Sequence, residues 1–194
     1  MTLEKALKEL LIRDPFYGIF MLGLNKRIVN GDHEIQTAAV GLSGLNYTLY
    51  VHEDFWKKLT DPQQIAILKH ECGHLLFFHL TDTFKSDYPT IMNIAMDCEI
   101  NQNLSDLPEG GVTLAKLSEV CKKQLEPRKG SWYYYKELLQ VKRLSRATQL
   151  LSETSLPVTD IIYAVGYDNT SYFHRIFREK YGMTPFGYRK EFGK

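Results

Sequence analysis

Apolar residues recur at helical spacing near both ends of the chain and in its middle, with stretches of strand character between. Leu3, Ala6, Leu7, Leu10 and Leu11 predict a helix over residues 2–12, which Asp14-Pro15 stops. Phe16 to Leu22 is aromatic and β-branched enough to read as a buried strand, and residues 23–34 are polar and turn-rich. Two further apolar runs, Thr37 to Leu42 and Tyr47 to Val51, flank Ser43-Gly44-Leu45-Asn46 and predict a hairpin. The expected product is a small antiparallel sheet. Tyr47 to Val51 would either hold an extended peptide as an edge strand or merely back the next helix. Asp61-Pro62, with Gln64 three residues after the aspartate, reads as an N-cap, so a helix should run from Pro62 to about Leu80. A second apolar-patterned helix covers Asn93 to Asn101. Beyond a short helix over 114–123 and the loop before Trp132, the stripe Leu144, Ala147, Leu150, Leu151 is broken at Ser155-Leu156-Pro157. Val158 to Val165 forms the next helix, ended by Gly166. The last one turns Phe173, Ile176, Phe177 and Tyr181 inward and Ser171, His174, Arg175 and Arg178 largely outward.

The middle helix carries His70-Glu71-Cys72-Gly73-His74, an H-E-x-x-H sequence. Residues four apart share a helix face, so both imidazoles can reach one zinc ion (Zn2+) while Glu71 stands beside them as general base. Zinc needs a third protein ligand and an open position. On a continuous helix His79 lies half a turn from His70 and about 140° from His74, which excludes it and leaves it a packing or surface residue. Asp97, an acid among apolar neighbours, is the candidate third ligand, because a buried carboxylate needs a cation or hydrogen bonds. A loop-capping Asp97 is the structural alternative. Glu99, projecting roughly opposite, is the fallback ligand. Cys72 points about 160° away from His74 and reads as a buried thiol, and no oxyanion stabiliser can be assigned: His52 and Tyr50 are candidates, with solvated loop residues the alternative reading.

Composition adds an asymmetry. Residues 141–194 hold nine Lys/Arg against five Asp/Glu, whereas residues 1–140 hold fifteen against eighteen, so a basic tail suited to an anionic partner follows an acidic body. Three widely spaced cysteines, no secretory leader and no long apolar run predict a cytoplasmic protein that neither spans a membrane nor depends on disulfides.

Two resemblances sharpen this picture. Asp14-Pro15-Phe16, Thr37-Ala38-Ala39, the stretch from Leu68 to His74 and that from Asn93 to Asn101 resemble the predicted metal-dependent peptidase family of bacteria and phages. That resemblance covers about residues 1–140 and implies a zincin-like domain in which Asp97 takes the third-ligand role. Cys72 stands where an aliphatic residue is expected. Ala164 to Tyr167, Ser171 to Phe177 and Tyr181 to Arg189 closely resemble the C-terminal signature of AraC-type transcription regulators. This second resemblance implies that Thr170, Ser171, His174 and Arg175 face DNA bases and that Arg178, Lys180 and Arg189 meet phosphates. Only the bridging helix and the second helix-turn-helix unit are expected, since residues 111–140 lack the first. A lone unit binds DNA weakly unless the protein dimerises. The expected fold class is therefore α+β: a zincin-like domain over 1–140, with its small antiparallel sheet and H-E-x-x-H helix, then an all-α helix-turn-helix fragment over 141–194. The expected function is zinc-dependent hydrolysis of peptide bonds, directed to double-stranded DNA by the tail. The alternative is a transcription regulator whose N-terminal domain senses metal or a protein without proteolysis.

Overall fold

Thr2 opens the first helix, α1 (Leu3–Arg13), by accepting the Lys5 backbone N–H, and the buried stripe is Leu3, Ala6, Leu7 and Leu10. The structure, a computed structural model, describes residues 1–193. Pro15 does not lead into a strand. Residues Pro15–Leu22 form helix α2, with the proline in its first turn, where its fixed φ suits a helix. Gly18 lets α2 press on α1, since a Cβ there would stand 2.3 Å from Leu11 Cα. Phe16, Ile19 and Leu22 consequently face outward while Met21 is buried.

The sheet has three strands, β1 (Asn25–Val29), β2 (Ala38–Ser43) and β3 (Asn46–His52), in the order β1-β3-β2. The β2–β3 hairpin is antiparallel, Val40 opposite Leu49, but β1 runs parallel to β3, with Ile28 opposite Val51. The expected antiparallel sheet is thus mixed. Its extra strand comes from the stretch read as turns, because β1 is mostly exposed and lacks an alternating apolar signal. β3 is central, so Tyr47 to Val51 is not an edge. Its Leu49 and Val51 pack with Leu10, Met21, Trp56, Leu68 and Cys72 in the first core.

After α3 (Glu53–Lys58) comes α4 (Asp61–Leu76), whose N-cap is Thr60 in a reciprocal capping box with Gln63. The start lies one residue before the expected cap, because Gln64 is buried and donates to the Trp56 carbonyl at 2.9 Å. Helix α5 (Pro89–Asn101) packs on α4, and α6 (Leu114–Cys121) and α7 (Ser131–Glu153) follow. The chain divides into two compact units, Met1–Tyr135 and Lys136–Lys194. The expected boundary after residue 140 falls inside α7. In the second unit α8 (Val158–Ala164), α9 (Thr170–Tyr181) and α10 (Pro185–Phe192) join the rest of α7 around Leu144, Ala147, Leu151, Ile161, Phe173 and Phe177. No helix among the described residues is long and apolar enough to cross a membrane.

Candidate metal centre

Helix α4 presents His70 and His74 on one face, one turn apart, with their Nε2 atoms 3.2 Å from each other. Helix α5 brings Asp97 to meet them, its Oδ1 lying 3.5 Å from His70 Nε2 and 3.4 Å from His74 Nε2. The three donor atoms all fall within 4.8 Å of one another. What permits this approach is Gly73, at which a Cβ would stand 2.7 Å from Ile100 Cγ2. Glu71 is buried beside the cluster, and Val40 of β2 gives it a backbone hydrogen bond.

The charges in the cluster are interdependent. Burial pushes the Asp97 carboxyl up, but the protonated forms of His70 and His74 outweigh it and hold Asp97 at about 2. Burial lowers His70, and Asp97, Glu71 and Asn101 together reverse that, raising it. Burial is also the largest influence on Glu71 and raises its carboxyl, against the opposing pull of both imidazoles. Cys72 and Cys98 are buried, burial pushes their thiols up to about 12, and neither belongs to the group of converging donors.

Behind each histidine stands a partner. Asn101, one turn beyond Asp97, holds its Oδ1 2.7 Å from His70 Nδ1 and donates its Nδ2 to the Val112 carbonyl at 2.8 Å. Its amide is thereby oriented oxygen toward His70, which must donate from Nδ1 and face the cluster with the Nε2 lone pair. The spacing from Asp97 puts Asn101 on the same face, but its partner in the loop after α5 has no signal in the sequence. His79 is a packing residue, one of the two expectations for it, but it reaches the interior by a route that a continuous helix does not provide. Helix α4 ends at Leu76 and Phe78 takes a left-handed φ of 58°, which returns His79 to the interior, its Nδ1 3.2 Å from His74 Nδ1. It is neither a surface residue nor one of the three converging donors. Glu99 is turned away from the cluster too, accepting the Ser131 backbone N–H at 2.7 Å.

A cleft of about 420 Å³ opens over the cluster. Thr37 to Val40, at the start of the β2 edge, form one side, and Leu107 to Val112 line it as well. The exposed main chain beside the site is thus β2 rather than Tyr47 to Val51. His52 is buried with Nε2 3.1 Å from the Gly31 carbonyl, and neither it nor Tyr50 lines the cleft.

In the second unit α9 begins at an Asn169 cap that accepts the Tyr172 backbone N–H at 2.8 Å. Ser171, His174, Arg175 and Arg178 are exposed along it, and Thr170 at its first position is half-buried. Arg175 pairs with Glu179 at 2.8 Å and lies over the Tyr172 ring. Lys180 is half-buried, and Arg189 is turned inward, with Nε 3.4 Å from the Leu151 carbonyl and Nη2 buried without a partner, so Arg189 is not a free phosphate contact.

Two histidines and an aspartate converging from consecutive helices, with a buried glutamate alongside, define a metallopeptidase-like domain, here followed by an AraC-type helix-turn-helix. The chain belongs to the family described as "Putative metallopeptidase domain", whose model matches residues 1–149. A second model, "Helix-turn-helix domain", matches residues 111–191. Among characterised proteins the chain is similar to the HTH-type transcriptional regulator GadX of Escherichia coli, 30% identical over 128 residues that cover 59% of this chain and 46% of the relative. The DNA-binding dual transcriptional regulator Rns of Escherichia coli is 39% identical over 51 residues, 26% of this chain and 19% of that one. Histidine kinase P4 of Formosa agariphila is 34% identical over 58 residues, 30% of this chain and 4% of the kinase. The chain spans less than half the length of each. Likeness to GadX, at 59% of the chain, reaches upstream of residue 141. No solved structure matches.

Proposed function

We propose that the protein is a zinc metallopeptidase of zincin type whose helix-turn-helix directs it to DNA. The observation carrying this reading is the convergence of His70, His74 and Asp97 beside buried Glu71. Two imidazole nitrogens and one carboxylate oxygen, with a side open to the cleft, are the donor set of a catalytic rather than a structural zinc site. Bound there, zinc would supply Lewis acidity that stabilises the negative charge gathering on oxygen as an amide is attacked. Glu71 accepts the proton of the attacking water and returns it to the leaving nitrogen. Its burial-raised carboxyl suits both halves of that exchange. A peptide would lie along the free edge of β2, bonding its main chain to residues 38–40 and carrying the scissile amide past Glu71.

In the second unit, exposed Ser171, His174 and Arg175 read base edges from α9 while Arg178 meets phosphate. Metal analysis combined with hydrolysis assays of the wild type and Glu71→Gln tests the reading. Expected are one zinc ion per chain in both proteins and a fall in turnover of at least about 100-fold in the variant. Peptide hydrolysis indifferent to Glu71, with salt-sensitive binding to a defined DNA site retained, would instead identify a regulator with a metal-sensing domain.

A further inference from the structure

Beneath His74, on the side away from the cleft, His79 is fully buried among aromatic rings, stacked on Phe77 and edge-on to Phe84. Both its ring nitrogens have protein partners. Nδ1 faces His74 Nδ1 at 3.2 Å, and Nε2 faces Ser131 Oγ at 3.2 Å and Glu99 Oε2 at 3.5 Å. Ser131, buried at the start of α7, gives both its hydroxyl and its backbone N–H to Glu99 Oε2. The path Glu99–Ser131–His79–His74 thus links α5, α7 and the turn after α4.

We propose that this path is a positioning relay that fixes His74 as its Nδ1–H tautomer and aims the Nε2 lone pair into the metal cluster; the proposal rests on the zinc reading of that cluster. The direction follows from counting hydrogens. The Glu99 carboxylate only accepts, so it takes the Ser131 hydroxyl hydrogen, and Ser131 Oγ then has only lone pairs to offer His79. His79 Nε2 must therefore donate, which leaves neutral His79 a lone pair on Nδ1. That lone pair can only accept, so His74 Nδ1 carries the hydrogen and His74 Nε2 does not. Asn101 enforces the same tautomer on His70. With both imidazoles neutral, three electron pairs, from His70 Nε2, His74 Nε2 and Asp97 Oδ1, then point at one another, an arrangement relieved by a proton at low pH and by a metal cation once the imidazoles are neutral. His79 reaches His74 only because Phe78 takes its left-handed turn, and the turn is further held by the His79 backbone N–H donating to the His74 carbonyl at 2.9 Å. His79, Ser131 and Glu99 are positioning residues: they act on metal through His74 alone.

The tautomer can be read without metal, which separates this proposal from the zinc reading beneath it. In ¹⁵N-labelled metal-free protein, held at a pH high enough to keep the imidazoles neutral, two-bond imidazole correlations should show His74 as Nδ1–H. His79→Phe keeps an aromatic body between Phe77 and Phe84 but has no acceptor. It should shift His74 toward Nε2–H and weaken zinc binding, measured against a chromophoric chelator, by roughly 10- to 100-fold. His79→Asn, whose amide oxygen can take the place of Nδ1, should recover most of that loss, which a merely structural defect would not. Ser131→Ala removes a single hydroxyl, so it should fold, and should weaken binding in the same direction by less. Wild-type His74 found as Nε2–H, or a folded His79→Phe that binds zinc as tightly as the wild type, would overturn the relay. Wild type that binds no zinc yet keeps His74 as Nδ1–H would support the relay and remove the zinc reading alone.

Discussion

Tyr167 packs its ring against Phe173 and the Arg143 guanidinium, yet its hydroxyl is buried without a hydrogen-bond partner. Burial pushes that phenol up to about 12, whereas the unfolded chain ionises near 10. The unfolded state loses its proton first, so the contribution is intact below pH 10 and drains away between about 10 and 12, by about 1.4 kcal/mol per unit of pH. Urea unfolding across that range should show the slope in the wild type and lose it in Tyr167→Phe, which should be no less stable at pH 7. Asp97 has the opposite sign. Its folded value of about 2 lies below 3.8, so metal-free protein should carry about 2 kcal/mol above pH 4 that disappears as pH falls toward 2. Asp97→Asn should flatten that acid limb. Among the site residues, His70, Glu71 and His74 were legible because four-residue spacing is a property of any helix, and Asp97 because a carboxylate among apolar positions asks for a partner. His79 was not legible. The break that redirects it lies at Phe77 and Phe78, where neither glycine nor proline marks an end and a bulky residue takes the left-handed backbone.

Between elements, the tightest tolerance is the crossing of α4 and α5. Gly73→Ala would drive a methyl into Ile100, and the two helices carrying the donor atoms would have to separate. The expected cost is about 1–3 kcal/mol in thermal or denaturant unfolding, together with weaker zinc binding. Ile100→Ala in the same chain should relieve the clash and restore most of the affinity, although the single Ile100→Ala variant loses core stability. The elements themselves are unevenly legible in the sequence. The hairpin of β2 and β3 was plain from its apolar runs and turn. Residues 16–22 have strand composition, but Pro15 starts a helix and Gly18 seats it against α1, so tertiary packing overrides propensity. β1 was missed because its polar sequence gains its place through backbone pairing with β3, a long-range event that leaves no local pattern.

Across the molecule, charge follows the division into units: the first is net acidic and holds the cluster of His70, His74 and Asp97, while the second is net basic and carries α9. Binding to a defined DNA duplex should weaken steeply with added salt. Arg178→Ala should reduce the slope of log affinity against log salt by about one, and Arg175→Ala should relax preference at a base position at a cost of about 1–3 kcal/mol. Fluorescence anisotropy over a salt series reads both. The two units are legible to different degrees because a helix-turn-helix declares itself in consecutive residues, whereas the candidate metal site draws on α4, α5 and strand β2. That Cys72 and Cys98 stand outside the converging donors has an optical consequence. Cobalt(II) added to the protein and bound by His70, His74 and Asp97 would meet only nitrogen and oxygen donors, so the protein should be faintly coloured by ligand-field bands and lack the intense sulfur-to-metal charge-transfer absorption.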